Sequence, residues 1–441
     1  MQGQAGEWLR DLRTLFSPLQ AIRACFDSMA TDTPEDWELV AARMGGVPAA
    51  LAGLRTTLAQ GLAQGMVAAR RQALACAEQA ATWGGARHAT PAFFSTVCAA
   101  YETLRPSDTA LRARLEVAAS AATEAYAEMA RFLAEDYAPL ATEEDAVGVE
   151  RYARAARANC GVDLDLAETY RWGVEEVRHA EAEMKRVAQR IAPGQPLKAV
   201  TALLDADPTR SIEGVDAFRR WLQDRIDQAV ESLDGRHFDI PAPLRHLEAC
   251  IAPPGGAAAM YYTPPNEDFS RPGRIWYPVG ERTRFPLWGE VAIAYHEGVP
   301  GHHLQLAQLR LAVDHLTRFQ RTLAFAPAHA EGWGLYAERL MGELGFIERP
   351  DYELGMPAMS AFRAARVVVD IGLHLNETVP AGHDGAGQRW TPTLALAFLA
   401  RYSPFDQAFL SSEVDRYLGL PGQAICYKVG ERAWLAAREE A

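Results

Sequence analysis

Three of the 11 histidines in this 441-residue chain, His296, His302 and His303, fall within eight consecutive positions, and Glu297 stands directly beside the first. Imidazoles with an adjacent carboxylate are the components of a zinc hydrolase, in which neutral imidazoles hold the metal and a carboxylate takes the proton of an attacking water. The usual helical arrangement places two His at i and i+4 with a Glu between them. Here position i+4 from His296 is Pro300, which cannot ligate a metal and, inside a helix, removes a backbone donor. Pro300-Gly301 must therefore distort the helix. Either the distortion swings His302 into the ligand position, or the helix resumes and His303 at i+7, on the same face as His296, takes it. Spacing leaves both open.

Glu297 points one residue off the ligand face, so it can reach a metal-bound water as general base without binding the ion. Gly301, at i+4 from it, offers no ion-pair partner that would make it an ordinary surface carboxylate. Two imidazoles leave a zinc under-coordinated. Glu331 opens a following helix whose same face carries Glu338 at i+7; Glu331 is the expected third ligand and Glu338 the group that orients a ligand from behind. Farther on, Arg366, Asp370 and His374 fall at i, i+4 and i+8, one stripe of a helix otherwise rich in Val, Ile and Leu. Charges there are costly unless paired. Either Arg366 and Asp370 form a buried ion pair, or Arg366 or His374 reaches the cleft to bind a substrate carboxylate or polarise a carbonyl.

The segments His296-Glu-Gly-Val-Pro-Gly-His-His-Leu-Gln305, Glu331-Gly-Trp-Gly-Leu-Tyr-Ala-Glu338 and Pro421-Gly-Gln-Ala-Ile-Cys-Tyr-Lys-Val-Gly430, in this order, resemble the bacterial family DUF885. That family is related in fold to the helical, gluzincin-like zinc peptidases with an HEXXH motif. The resemblance takes in Arg363 to His374 and Tyr261 to Tyr277, and extends more loosely back to Leu12. It implies that Pro-Gly-His is the fixed core of the motif, which makes His302 the second ligand and leaves His303 lining the substrate cleft. It further implies that a strand beside the metal helix receives the extended substrate. In the third segment, the Tyr427 hydroxyl is placed to donate to a tetrahedral oxyanion and Lys428 to pair with a terminal carboxylate, with Arg416 and Tyr417 weaker candidates of the same kind. Two departures stand out. Family members have more helical sequence before and after the matched part, and Gly334 occupies a position usually held by Ala, a change that costs a little helix stability.

The elements that must position these groups are mostly helical. Ala, Leu and Arg-rich stretches with apolar residues at three and four spacing run from Pro34 to Ala81, and similar patterns cover Ser107 to Tyr137, Asp163 to Ile191 and Gly214 to Leu233. Thr33-Pro34-Glu35-Asp36 is a helix start, with Thr33 as cap and Pro34 at the first helical position. The texture changes near Ile240. From Pro241 to Pro286 come many prolines, glycines and aromatics, including Tyr261-Tyr-Thr-Pro-Pro265 and Arg274-Ile-Trp-Tyr-Pro278, short aromatic and β-branched runs between turn formers that read as one or two strands. After Leu287 helices resume, broken at Pro350, at Pro380 to Trp390 and at Pro404. The expectation is a single mostly α domain over residues 1–441, a large helical bundle enclosing a cleft with a small strand or hairpin near the metal helix. Residues 1–240 form its scaffold and 241–441 its metal-site portion.

Composition bounds the partners. Hydrophobic residues at 49% and charged residues at 23% suit a soluble globular protein. A net charge of -13 argues against nucleic acid, whose phosphates need a basic surface. No apolar run spans a bilayer, and Met1 to Asp11 lacks the basic start and apolar stretch of a signal peptide, so the expectation is a cytoplasmic protein with no membrane association. Cys25, Cys76, Cys98, Cys160, Cys250 and Cys426 stand singly, as buried reduced thiols do. The sequence thus describes a Zn2+-dependent hydrolase of a peptide or amide bond in a short substrate, with metal-bound water as nucleophile. The same frame would also serve a metal-dependent biosynthetic enzyme acting on a small amide or amino-acid derivative, or a non-catalytic helical scaffold.

Overall fold

The computed structural model describes residues 6–86, 91–104, 108–252 and 260–441. It is mostly α, as the periodicity predicts, with a few short strands. The chain divides into two compact units, Met1–Ala146 with Leu418–Leu420, and Val147–Tyr417 with Pro421–Ala441. The texture change near Ile240 therefore falls inside the second unit, where α9 (Val215–Leu233) and the strands that follow share one apolar cluster.

The first unit contains α1 (Pro18–Ala24), α2 (Pro34–Ala63), α3 (Arg70–Trp83), α4 (Phe93–Leu104) and α5 (Thr109–Arg131), which a π-helical turn extends over Phe132–Tyr137. The Thr33 hydroxyl accepts from Asp36 N and Pro34 opens α2, so the expected cap is formed. Trp37, Met44, Leu51 and Leu58 of α2 face Leu111, Leu115, Ala122 and Tyr126 of α5 in one cluster, an apolar stripe on each helix. The predicted helix start at Ser107 lies outside the described residues, as do the first five residues and 253–259.

The second unit holds α6 (Gly148–Cys160), α7 (Leu166–Ile191), α8 (Leu197–Ala206), α9, α10 (Glu290–Glu297), α11 (His302–Leu311), α12 (Arg318–Thr322), α13 (Pro327–Glu343), α14 (Pro350–Leu375), α15 (Pro392–Arg401), nearly all of α16 (Gln407–Gly419), and α17 (Cys426–Glu440). Among the described residues β1 (Ser211–Glu213) pairs antiparallel with β5 (Arg284–Pro286), and β4 (Gly273–Tyr277) lies between β2 (Leu247–Ile251), parallel to it, and β3 (Tyr261–Thr263), antiparallel. The two aromatic runs of the sequence are thus the strands β3 and β4, in register Tyr261 to Trp276. Ile275 of β4 packs with Val291 and Ile293 of α10, which seats the sheet beside the histidine helix.

Two close approaches decide where the helices sit. Val367 of α14 lies against Gly173 of α7, where a β-carbon would meet its Cγ1 at 2.8 Å. At Gly332 of α13 a β-carbon would stand 2.3 Å from the backbone of Gly430, so α13 and α17 cross at backbone contact. That crossing holds Glu331 and Tyr427 in one neighbourhood.

Candidate functional site

All eight residues of α10 are buried, so the helix is a core element rather than an amphipathic one and carries His296 and Glu297 inward. It stops at Glu297. Gly298, the cis Val299–Pro300 bond and Gly301 form a tight link, and α11 begins anew at His302. The link demands glycine: a β-carbon at Gly301 would sit 2.0 Å from the His296 carbonyl oxygen. Trp333 of α13 pins it by donating Nε1–H to the Pro300 carbonyl at 2.8 Å. The helix is thus broken and restarted rather than bulged, and the break turns His302, not His303, toward His296; their ring centres lie 4.7 Å apart.

Glu331 completes the group. Its Oε2 stands 3.4 Å from Nε2 of His296 and 3.4 Å from Nε2 of His302. Ligand atoms of His296, Glu297 and His302 also lie within 4.8 Å of one another, and Glu297 Oε2 is buried with no hydrogen-bond partner among the described residues. Four donors that could hold a divalent cation therefore converge, and all but Glu331 belong to residues less than a tenth exposed. Tetrahedral zinc with bonds of about 2.05 Å places its ligands roughly 3.3 Å apart, close to the observed spacing between Glu331 and each imidazole. Glu331 Oε2 lies at the same distance from both imidazoles, and Glu297, which groups with His296 and His302, is the competing third donor.

Electrostatics follow from this packing. Burial disfavours the charged form of His296, yet hydrogen bonds to Glu331 and Glu338 outweigh it and raise its pKa to about 9. Glu331 is pushed up by burial but more strongly down by the two imidazoles, and ends well below the usual carboxylate range. The carboxylate stays ionised and calls for positive charge beside it.

Behind His296 lies a supporting layer, whereas His302 Nδ1 is buried with no hydrogen-bond partner among the described residues. His296 Nδ1–H donates to Glu338 Oε1 at 2.8 Å, which leaves Nε2 facing Glu331 and His302 as the nitrogen that would give up its proton to an ion. Glu338 Oε1 also accepts from Arg363 Nη2 of α14 at 3.0 Å. The Tyr427 ring lies at 22° to the His296 ring, 6.2 Å between centres, and its hydroxyl pKa is pushed up to about 12 by burial and then by the Glu331 charge. Gly334 has a use here: a β-carbon would stand 2.5 Å from the His296 ring. Its cost to α13 is offset by room for the imidazole.

The remaining residues singled out from sequence lie elsewhere. His303 donates Nε2–H to the Leu244 carbonyl at 2.8 Å, and its Nδ1 is 2.9 Å from the Tyr262 hydroxyl of β3. Both nitrogens are used, burial lowers its pKa to about 4, and it ties α11 to the sheet instead of lining a cleft. Arg366 does not pair with Asp370; it bonds Glu413 at 2.7 Å and the Tyr417 hydroxyl at 2.8 Å, and Arg416 shares Glu413. Its guanidinium stands 4.7 Å over the Tyr427 ring, so it bears on the site only through that ring. His374 donates Nε2–H to the Tyr417 carbonyl at 3.0 Å and receives Val147 N–H on Nδ1. Burial keeps it neutral, with a pKa of about 4. Lys428 is enclosed by Glu431 at 2.5 Å and Glu176 at 2.9 Å, which leaves it no charge to spare for a ligand.

Arg363 is the residue that sequence reasoning missed. It lies in the same helix three positions before Arg366, about 60° round the axis, and so faces α13 and α10 rather than α16. The available signal was a second arginine in an apolar helix, off the stripe that drew attention.

No curated protein matches the chain. Among solved structures, the "putative lipoprotein" of Colwellia psychrerythraea superposes with a TM-score of 0.84 at 22% identity, covering 98% of this chain and 74% of that one. A "putative lipoprotein of unknown function" from Shewanella oneidensis gives 0.65 at 18%, covering 100% of this chain and 78% of that one. At these identities the likeness shows a shared fold. Residues 1–441 match the family described as "Bacterial protein of unknown function (DUF885)", and the chain belongs to that family.

Proposed function

We propose that this protein is a zinc-dependent hydrolase of a peptide or amide bond in a short substrate, related in mechanism to the helical HEXXH peptidases. The observation that carries the reading is Glu331 Oε2 standing 3.4 Å from both His296 Nε2 and His302 Nε2, with Glu297 Oε2, unpartnered among the described residues, grouped with the two imidazoles. His296, His302 and Glu331 would hold the ion. Zinc, when bound, is a Lewis acid that brings the pKa of water to about 7 and polarises a carbonyl.

The chain's own groups do the rest. Glu297 Oε2, buried and free of hydrogen bonds, takes a proton from the attacking water and returns it to the leaving amine. Glu338 orients His296, and Tyr427, whose ring stacks on His296 and which burial keeps protonated, would donate its hydroxyl hydrogen to charge developing on the carbonyl oxygen. A peptide library digested by the zinc-loaded chain and by Glu297→Gln tests this. Cleavage that disappears in the variant supports it, and equal cleavage by both removes general-base hydrolysis.

No helix of the described residues is long and apolar enough to cross a membrane. We propose a cytoplasmic location, where the chain's six cysteines would stay reduced. The lipoprotein names of the structural neighbours point the other way, and thiol labelling of fractionated cells decides between them.

A further inference from the structure

Arg363 is 7% exposed and carries three donor nitrogens, of which Glu338 takes one. Nε and Nη1, one on each edge of the guanidinium, are buried and have no hydrogen-bond partner among the described residues. An unmade bond to a buried charged donor costs on the order of 1–3 kcal/mol or more, so two such donors at one side chain need a reason. The other buried cations nearby show what a purely structural role looks like. Arg366 and Arg416 share Glu413, and Lys428 sits between Glu431 and Glu176. Each of these has its carboxylate; Arg363 shares one with His296 and keeps donors in reserve. Its place is also distinct. Nη2 lies 3.5 Å from His296 Nδ1, and Cζ lies 5.8 Å from the centre of the Tyr427 ring, the same ring that stacks on His296.

We infer that Arg363 is the anchor for a carboxylate of the substrate, so that the chain acts on short peptides carrying a free carboxylate next to the bond it cuts. This rests on the hydrolase reading above and names its substrate class. A guanidinium pairs with a carboxylate through charge-assisted hydrogen bonds, and Nε and Nη1, on different edges, are each free to donate one. The carboxylate comes either from a peptide C-terminus or from an acidic side chain, and both present the same chemistry to Arg363.

The test compares three short peptides of otherwise equal sequence: one with a free C-terminus, one amidated, and one amidated and ending in Glu. Each is offered to the zinc-loaded wild type, Arg363→Lys and Arg363→Met, with turnover and calorimetric binding measured in parallel. The wild type is expected to bind and cleave a carboxylate peptide at least 30-fold better than the neutral amide. Preference for the free C-terminus assigns a terminal carboxylate, and equal preference for the Glu amide assigns a side chain. Arg363→Met should abolish the discrimination between acid and amide peptides through KM, whatever it does to turnover of the neutral peptide, and Arg363→Lys should restore part of it. Wild type that treats acid and amide alike overturns the inference and leaves hydrolysis standing. So does Arg363→Met that weakens all three peptides equally, because the arginine would then act only by holding Glu338. Should no peptide be cleaved, hydrolysis fails, and calorimetry still decides the carboxylate site by the same comparison.

Discussion

Glu338 accepts the Nδ1 hydrogen of His296 at 2.8 Å, and the same oxygen accepts from Arg363 at 3.0 Å. One carboxylate oxygen therefore fixes the tilt of the imidazole whose other nitrogen faces Glu331. Groups that orient a metal-binding histidine in this way typically contribute 10- to 100-fold to metal affinity. Glu338→Ala is expected to weaken zinc binding by about that factor, measured by competition with a chromogenic chelator, while circular dichroism shows the helices retained. Unchanged affinity would mean that packing alone positions His296.

Glu297 Oε2, unlike Glu331 Oε2, has no hydrogen-bond partner among the described residues. As general base it should matter to turnover and not to metal retention. Glu297→Gln is expected to lower kcat by roughly 10²- to 10⁴-fold with zinc content unaltered. If zinc is lost together with activity, Glu297 is a ligand and Glu331 is not the third donor.

The crossing of α13 and α17 at Gly332 and Gly430 carries a packing prediction. A methyl at 332 would meet the backbone of Gly430 at 2.3 Å, and backbone cannot swing aside. Overpacking of this kind costs about 1–3 kcal/mol. Gly332→Ala should lower the denaturant midpoint accordingly and, because Glu331 is its neighbour, weaken metal binding as well. A variant as stable as the parent would show that the two helices are free to slide.

Asp370 gives the pH dependence. Burial raises its pKa from 3.8 to about 7, against the hydrogen bonds from the Tyr152 hydroxyl and Gly422 N–H and the charge of Arg416. The folded state thus holds a proton that the unfolded chain has released. The contribution is fully favourable below about pH 4 and is lost as pH rises from there to 7. Its ceiling is about 4 kcal/mol at 1.36 kcal/mol per pKa unit. Asp370→Asn should gain stability relative to the parent between pH 5 and pH 8 in urea titrations. Parallel pH profiles would place the ionised form comfortably in the fold.

Much of this was legible in local sequence signals. The Thr33 cap, the strands at Tyr261–Thr263 and Gly273–Tyr277, and the break at Pro300 follow from residues that are adjacent or one turn apart, where backbone chemistry decides. The grouping of His302 with His296 came from the resemblance of the motifs, because spacing alone left His302 and His303 open; in the fold both His296 and His302 stand 3.4 Å from Glu331. What escaped depends on partners distant in the chain. Arg366 found Glu413, 47 positions away, instead of Asp370 one turn away, because α16 brings a carboxylate to that face. His303 was removed from the cleft by Tyr262 and the Leu244 carbonyl, neither of which marks itself as a histidine partner. The unit boundary at Ala146 escaped because amphipathic helices run on both sides of it, whereas the texture change near Ile240 marks strands within one core.

The central claim is that His296, His302 and Glu331 enclose one cation. Calorimetric titration of zinc into chelator-stripped protein tests it most directly. One ion per chain, lost in His302→Ala and in Glu331→Ala but retained in Glu297→Gln, is the result expected. Absence of stoichiometric binding by the wild type, or binding that survives both ligand substitutions, would contradict it.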